Sequence, residues 1–139
     1  MKISIRRTRG AQFEGLSESG QKALLDGPPN AGGQGEGVRP MELVLMGMAG
    51  CSALDVLHIL GQQHQPIEDL EVHVEAQRAD AIPAVLTQID LHYVASGAID
   101  LHKLERAVKL SLEKYCSVSR MLESTAKISH RITLREPTT

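Results

Sequence analysis

The apolar run from Leu43 to Leu60, LVLMGMAGCSALDVLHIL, constrains this chain more than any other feature. It carries Asp55 and His58 and is preceded by Glu42, which makes it a poor membrane span and a good buried helix. Pro40 suits a first helical turn, Glu42 complements the helix dipole there, and Pro66 bars continuation. The pattern predicts a helix from Pro40 to about Gln63. It lacks a broad polar face, so burial on most sides is expected. Gly47 and Gly50 in its interior cost roughly 1 kcal/mol each relative to Ala. Close approach of another backbone offsets that cost. In a chain of 139 residues, full burial of such a helix calls for a second subunit. A homodimer with this helix near the interface is expected; tight packing inside one protomer is the alternative.

The flanking segments read as strands and a second helix. Ile3 and Ile5 alternate with Ser4 and Arg6, and Arg9-Gly10 and Ser19-Gly20 suit turns, so residues 1–27 predict a β-meander. Residues 26–39, DGPPNAGGQGEGVR, form a Gly- and Pro-rich loop without the Lys-Ser/Thr of a phosphate cradle. Period-two alternation predicts strands over 69–80, 85–95 and 126–135, with a turn at 81–84. Asp100 caps a second helix running to Cys116, with Leu101, Leu104, Ala107, Val108 and Leu112 on its apolar face. Another helical turn or two follows over 117–123. The expectation is a single α+β domain over 1–139, with an N-terminal β-meander, a long central helix and an antiparallel β-sheet with a second helix.

Charge and composition narrow the partners. A net charge of −2 gives no basic field for nucleic acid, and 2% aromatic content without Trp leaves no stacking platform. The opening residues, MKISIRR, lack an apolar run of signal-peptide length. A cytoplasmic location is expected, with no nucleic-acid or membrane partner. In that compartment two cysteines are free thiols or a reversible pair rather than a staple.

Cys51 shares one helix face with Val44, Met48, Asp55 and His58. His58 is seven residues on, about 10 Å along the axis, too far for a direct Cys–His dyad. Asp55 and His58, one turn apart, read as a buried polar pair or an interface contact. No C-x-x-C or H-E-x-x-H spacing is present, so neither metal nor cofactor is expected. By residue type alone, both cysteines could simply fill core positions.

Two segments resemble the OsmC/Ohr family of thiol-dependent hydroperoxide reductases. RPMELVLMGMAGCSALDV, from Arg39 to Val56, is similar to the family's Pro-x-Glu/Asp-Leu start and the helix that carries its first cysteine. LSLEKYCSVS, from Leu110 to Ser119, resembles its second cysteine box, and the wording is nearest the YhfA-like branch. The resemblance implies an OsmC-like fold, an intertwined homodimer, a peroxidatic Cys51, a resolving Cys116 and recycling by a dithiol reductant. It also implies an Arg near the peroxide, for which Arg39, Arg7 and Arg9 are candidates, oriented by a carboxylate at the helix start. Here Met41 follows Pro40 directly and the carboxylate is Glu42, one residue later. That step turns the side chain by about 100°. Ser117 stands where the family usually has Pro after the second cysteine.

Three functions compete. Reduction of organic hydroperoxides through Cys51 and Cys116, with Glu42 and Arg39 assisting, is the leading one. The alternative is a binding or redox-sensing protein for a small hydrophobic ligand, with weak or no peroxidase activity. Acyl transfer through Cys51 needs a base at hydrogen-bond distance, which the sequence does not supply.

Overall fold

In the computed structural model, which describes residues 1–138, the chain divides into two compact units, Met1–Met46 and Gly47–Thr139. In the first unit, β1 (Ile3–Arg9), β2 (Gln12–Ser17) and β3 (Lys22–Asp26) form the expected antiparallel meander. Gly10 sits in the first turn with φ +52°, a left-handed conformation that favours glycine there. Ile5 lies opposite Gly15, and Phe13 opposite Leu25. The long loop that follows is latched by one carboxylate. Asp26 Oδ1 accepts from the Gln34 amide at 2.9 Å, and Oδ2 from those of Glu36 and Gly37 at 3.1 and 3.3 Å.

The second unit is built on the central helix α1 (Pro40–Gln62), whose first turns belong to the first unit. Strands β4 (Ile67–Arg78) and β5 (Leu86–Gly97) pair antiparallel, as expected, although both lie near rather than on their predicted bounds. Strand β6 (Lys127–Arg135) pairs parallel to β5, which corrects the all-antiparallel expectation. The segment between β5 and β6 is long and helical, so it can cross over and return in the same direction. Apolar side chains of β5 (Ile89, Leu91 and Tyr93) form the core with Met48, Val56 and Leu60 of α1.

The crossover holds a second correction. One continuous helix to Cys116 was expected; instead α2 (Leu101–Leu110) gives way to a π-helical turn, Ser111–Tyr115, and then α3 (Ser117–Leu122). Asp100 caps α2 as expected, accepting from the Lys103 amide at 3.0 Å. Leu104, Ala107 and Val108 are buried, whereas Leu101 in the first turn is exposed.

The latch yields a prediction. The Gln34 amide, ahead of those of Glu36 and Gly37 and the Gln12 side chain, holds the Asp26 carboxyl below its usual value, against an opposing effect of desolvation. A depressed carboxylate adds stability above its unfolded pKa and loses it as pH falls through the folded one. Amide exchange at Gln34, Glu36 and Gly37 should therefore quicken, relative to neighbouring loop amides, as pH drops below the ordinary carboxylate range. Asp26→Asn should show that faster exchange already at neutral pH.

Candidate functional site

The site is assembled by α1, β5 and the π-helical turn. The turn closes through the Cys116 amide, which donates to the Ser111 carbonyl at 2.7 Å. Such one-turn widenings are rare and concentrate at functional sites. Here it buries Ser111 completely and places Cys116 at the cap of α3. Cys51, on α1, is half-buried and Cys116 is only 3% exposed. Their two sulfurs and a carboxylate oxygen of Asp55 all lie within 4.8 Å of one another.

Beneath the sulfurs runs a row of hydroxyls. Tyr93 OH and Ser52 Oγ are 2.5 Å apart, Ser111 Oγ lies 2.8 Å from Ser52 Oγ, and Ser111 donates to Asp55 Oδ2 at 2.9 Å. A carboxylate oxygen accepts, so Ser111 is the donor to Asp55. Ser111 donates toward both Asp55 Oδ2 and Ser52 Oγ, and Ser52 and Tyr93 share a hydrogen bond in which either hydroxyl can be the donor. Burial, opposed by the Ser52 bond, pushes the Tyr93 phenol up to about 12, so it keeps its proton. Ser52, Tyr93 and Ser111 are fully buried.

Cys116 is held as a neutral thiol. Burial pushes its pKa up and outweighs the lowering by Ser119, while neighbouring Cys51 adds to the rise. Its Sγ lies 3.9 Å from the Met48 carbonyl, to which the thiol donates, and accepts from the Ser119 amide at 3.4 Å. Asp55 and His58 also border an open cavity of about 390 Å³ with Gln62 and Tyr115. The partner of Asp55 is thus Ser111, and His58 is exposed, so the expected Asp55–His58 pair gives way to a different network.

The other predicted residues lie in the first unit. Glu42 Oε1 accepts from the Arg39 amide at 2.8 Å, the reciprocal half of a capping box. Arg7 Nε donates to the Gly10 carbonyl at 2.8 Å, and Arg9 pairs with Glu36. The structure therefore brings Cys51 together with Cys116, and Arg39 together with Glu42.

The sequence reading missed Ser52, Tyr93 and Ser111, and the role of Asp55. A signal existed: Ser52 falls four residues after Met48 and four before Val56, on the buried face of α1. Ser111 falls three after Val108 on the buried face of α2. A hydroxyl on such a stripe needs a buried partner. As metal donors, two sulfurs and one carboxylate fall short of the four ligands of a closed zinc site, and Ser111 already occupies one carboxylate oxygen.

Removing the middle of the row should be costly. Ser111→Ala strips both Asp55 and Ser52 of a donor, and a destabilisation of about 1–3 kcal/mol is expected in urea unfolding. Surface Ser124→Ala should be near neutral in the same measurement.

A family model described as OsmC-like protein matches residues 33–131. Protein YhfA of Escherichia coli is 42% identical over 132 residues, 94% of this chain and 95% of its own. A crystal structure of a hypothetical protein from Aquifex aeolicus superposes with a TM-score of 0.80 at 32% identity, over 96% of each chain. An organic hydroperoxide resistance protein OsmC from Legionella pneumophila superposes with a TM-score of 0.71 at 19% identity, over 95% of each chain; at that identity the likeness is one of fold.

Proposed function

The chain belongs to the OsmC-like family, and on that premise we propose that it reduces organic hydroperoxides through Cys51 and Cys116. The observation that supports this reading is the meeting of two free thiols, with sulfurs no more than 4.8 Å apart. A disulfide needs about 2 Å between sulfurs, so a modest shift closes the bond. In the proposed cycle the Cys51 thiolate attacks one peroxide oxygen, the O–O bond breaks, and the alkoxide leaves as the alcohol after taking a proton. Cys51 becomes a sulfenic acid. Cys116 then attacks the Cys51 sulfur, water leaves, and a disulfide forms. A dithiol reductant, such as a reducing cytoplasm supplies, returns both thiols.

Substoichiometric cumene hydroperoxide should convert the reduced protein within seconds to a Cys51–Cys116 disulfide, read by mass spectrometry as the loss of two hydrogens. Cys51→Ser should abolish consumption of the peroxide. Cys116→Ser should leave a sulfenic acid on Cys51 that a dione probe traps. A wild-type protein that consumes peroxide no faster than Cys51→Ser would overturn the proposal. One observation favours the second reading, a redox-sensing or ligand-binding protein: Glu42 is engaged with the Arg39 amide, and Met41 stands at the family's carboxylate position. Slow oxidation without a disulfide would favour it.

We further propose that the working form is a homodimer covering α1. Leu54 is 69% exposed and Leu57 42% on a helix with few polar positions. Apart from its chain neighbours and the helix's own backbone, a Cβ placed at Gly47 or Gly50 meets no described atom within 4 Å. In the first unit, Ile3, Ile5, Leu25 and Leu43 border an open apolar cavity of about 460 Å³. Exposed apolar surface of this extent marks an interaction site. By length and hydropathy the same helix could also cross a membrane; Asp55 and the hydrogen-bonded row tied to it argue for protein on that side. Sedimentation at micromolar concentration should give about twice the 15.1 kDa chain mass. Leu54→Lys should shift it toward the monomer.

A further inference from the structure

We propose that Asp55 is the catalytic base that takes the proton from Cys116 when that thiol attacks Cys51. The two-thiol cycle above supplies the physiological setting, whereas the proton transfer can be tested without peroxide. Only the thiolate is a competent nucleophile, and Cys116 is a neutral, deeply buried thiol. Bulk water has little access to a sulfur that is 3% exposed, so the proton needs a local acceptor. Among the described residues, Asp55 is the only Asp, Glu or His with a ligand atom within 4.8 Å of both sulfurs.

The geometry around Asp55 suits this work. A carboxylate has about four lone-pair positions, and Ser111 occupies one of them on Oδ2. The row from Tyr93 through Ser52 holds Ser111, so the carboxylate is oriented by a fully buried donor. It is also half-buried at the edge of the cavity, so a proton it accepts has a route outward. The Ser119 amide is already aimed at the Cys116 sulfur, ready to receive negative charge. The titratable groups facing Asp55 are Cys51 and His58 from α1, Tyr93 from β5, and Tyr115 and Cys116 from the π-helical turn and its end.

The step balances. The Cys116 S–H bond breaks and its proton passes to the Asp55 carboxylate. The sulfur electron pair forms the S–S bond with Cys51 as the Cys51 S–O bond breaks. The departing hydroxide takes the proton from Asp55 and leaves as water. Cys116 is oxidised, the sulfenic sulfur of Cys51 is reduced, and Asp55 is regenerated.

The test replaces the sulfenic acid with a reporter. The full-length reduced protein is treated with one equivalent of dithionitrobenzoate, which places thionitrobenzoate on the more accessible Cys51. Attack by Cys116 then releases a second coloured thiolate. Cys116→Ser should give a single fast release and Cys51→Ser, in which only the buried Cys116 remains, a single slow one, which identifies Cys51 as the labelled position. At pH 7 the second release in Asp55→Asn, measured from the moment labelling of Cys51 is complete in that same variant, should be slower on the order of 10²-fold. The gap should narrow as rising pH lets hydroxide deprotonate Cys116. The wild type should also show a normal solvent deuterium isotope effect on that release, a readout that needs no variant to fold.

Equal release rates in wild type and Asp55→Asn at pH 7 would overturn the proposal. So would a slowed release that stays equally slow at all pH values, or the lack of an isotope effect in the wild type. A protein that ignores peroxide yet shows these effects would retain the base and lose the peroxidase reading. The opposite pair of results would retain the peroxidase and lose the base.

Discussion

The site depends on one buried arrangement, the hydroxyl row from Tyr93 to Asp55. It ties a strand, a helix and a turn that are far apart in sequence. Ser52 and Tyr93 are 41 residues apart, and Ser111 lies 56 residues from Asp55. Each member occupies a position where an apolar side chain would pack well, so the fold gives up some hydrophobic burial to keep the row. It is tolerated because every hydroxyl in it has a partner; half-satisfied networks in a core are worse than none. The row fixes α1 against the π-helical turn, and with that contact the two sulfurs. A shift of one residue in either element would leave Ser111 or Ser52 unpaired in the core.

The π-helical turn is the backbone counterpart of the row. A regular α-helix past Leu110 would bond the Tyr115 amide to Ser111, and the next residue would be turned by a further 100°. The wider turn lets the Cys116 amide reach the Ser111 carbonyl instead. One residue, Ser111, therefore serves both parts of the site: its carbonyl sets the chain position of Cys116, and its hydroxyl sets the carboxylate of Asp55.

Much of this could be read from the chain. Alternation gave the meander and the strands, and the caps at Pro40 and Asp100 bounded the helices, because local pattern and tertiary burial agree there. The resemblance picked out Cys51 and Cys116. The parallel return of β6 was not legible, since alternation reports which face is buried and not the direction of the strand. The π-helical turn was not legible either: apolar spacing on α2 runs smoothly into Leu112, and a single widened turn leaves no change of period. Ser52 and Ser111 were visible only as hydroxyls on apolar stripes. Their partners lie tens of residues away, a distance over which one sequence carries no register. For Asp55 the spacing pointed to a neighbour on its own helix, His58. The partner came from another element, because the buried Ser111 needed an acceptor and the exposed His58 needed none.

The unequal burial of the two thiols also bears on the order in which they react. A solvent-borne electrophile reaches Cys51, on the open face of α1, before it can reach Cys116 behind the turn. Cys116 is protonated, with its S–H directed at the Met48 carbonyl, so it does not compete for that electrophile. It becomes a nucleophile only when a proton acceptor and an electrophilic sulfur are both beside it. In the proposed cycle, Asp55 is the first and an oxidised Cys51 the second. In that proposed cycle a half-buried thiol reacts with what arrives and a buried thiol reacts only with its neighbour, and that difference separates the two steps. The separation has a cost in access, since anything that oxidises Cys51 must fit beside a helix whose exposed surface is largely apolar. For the proposed peroxidase, small hydrophobic peroxides meet that condition better than charged ones, because their alkyl part would be buried against the same surface.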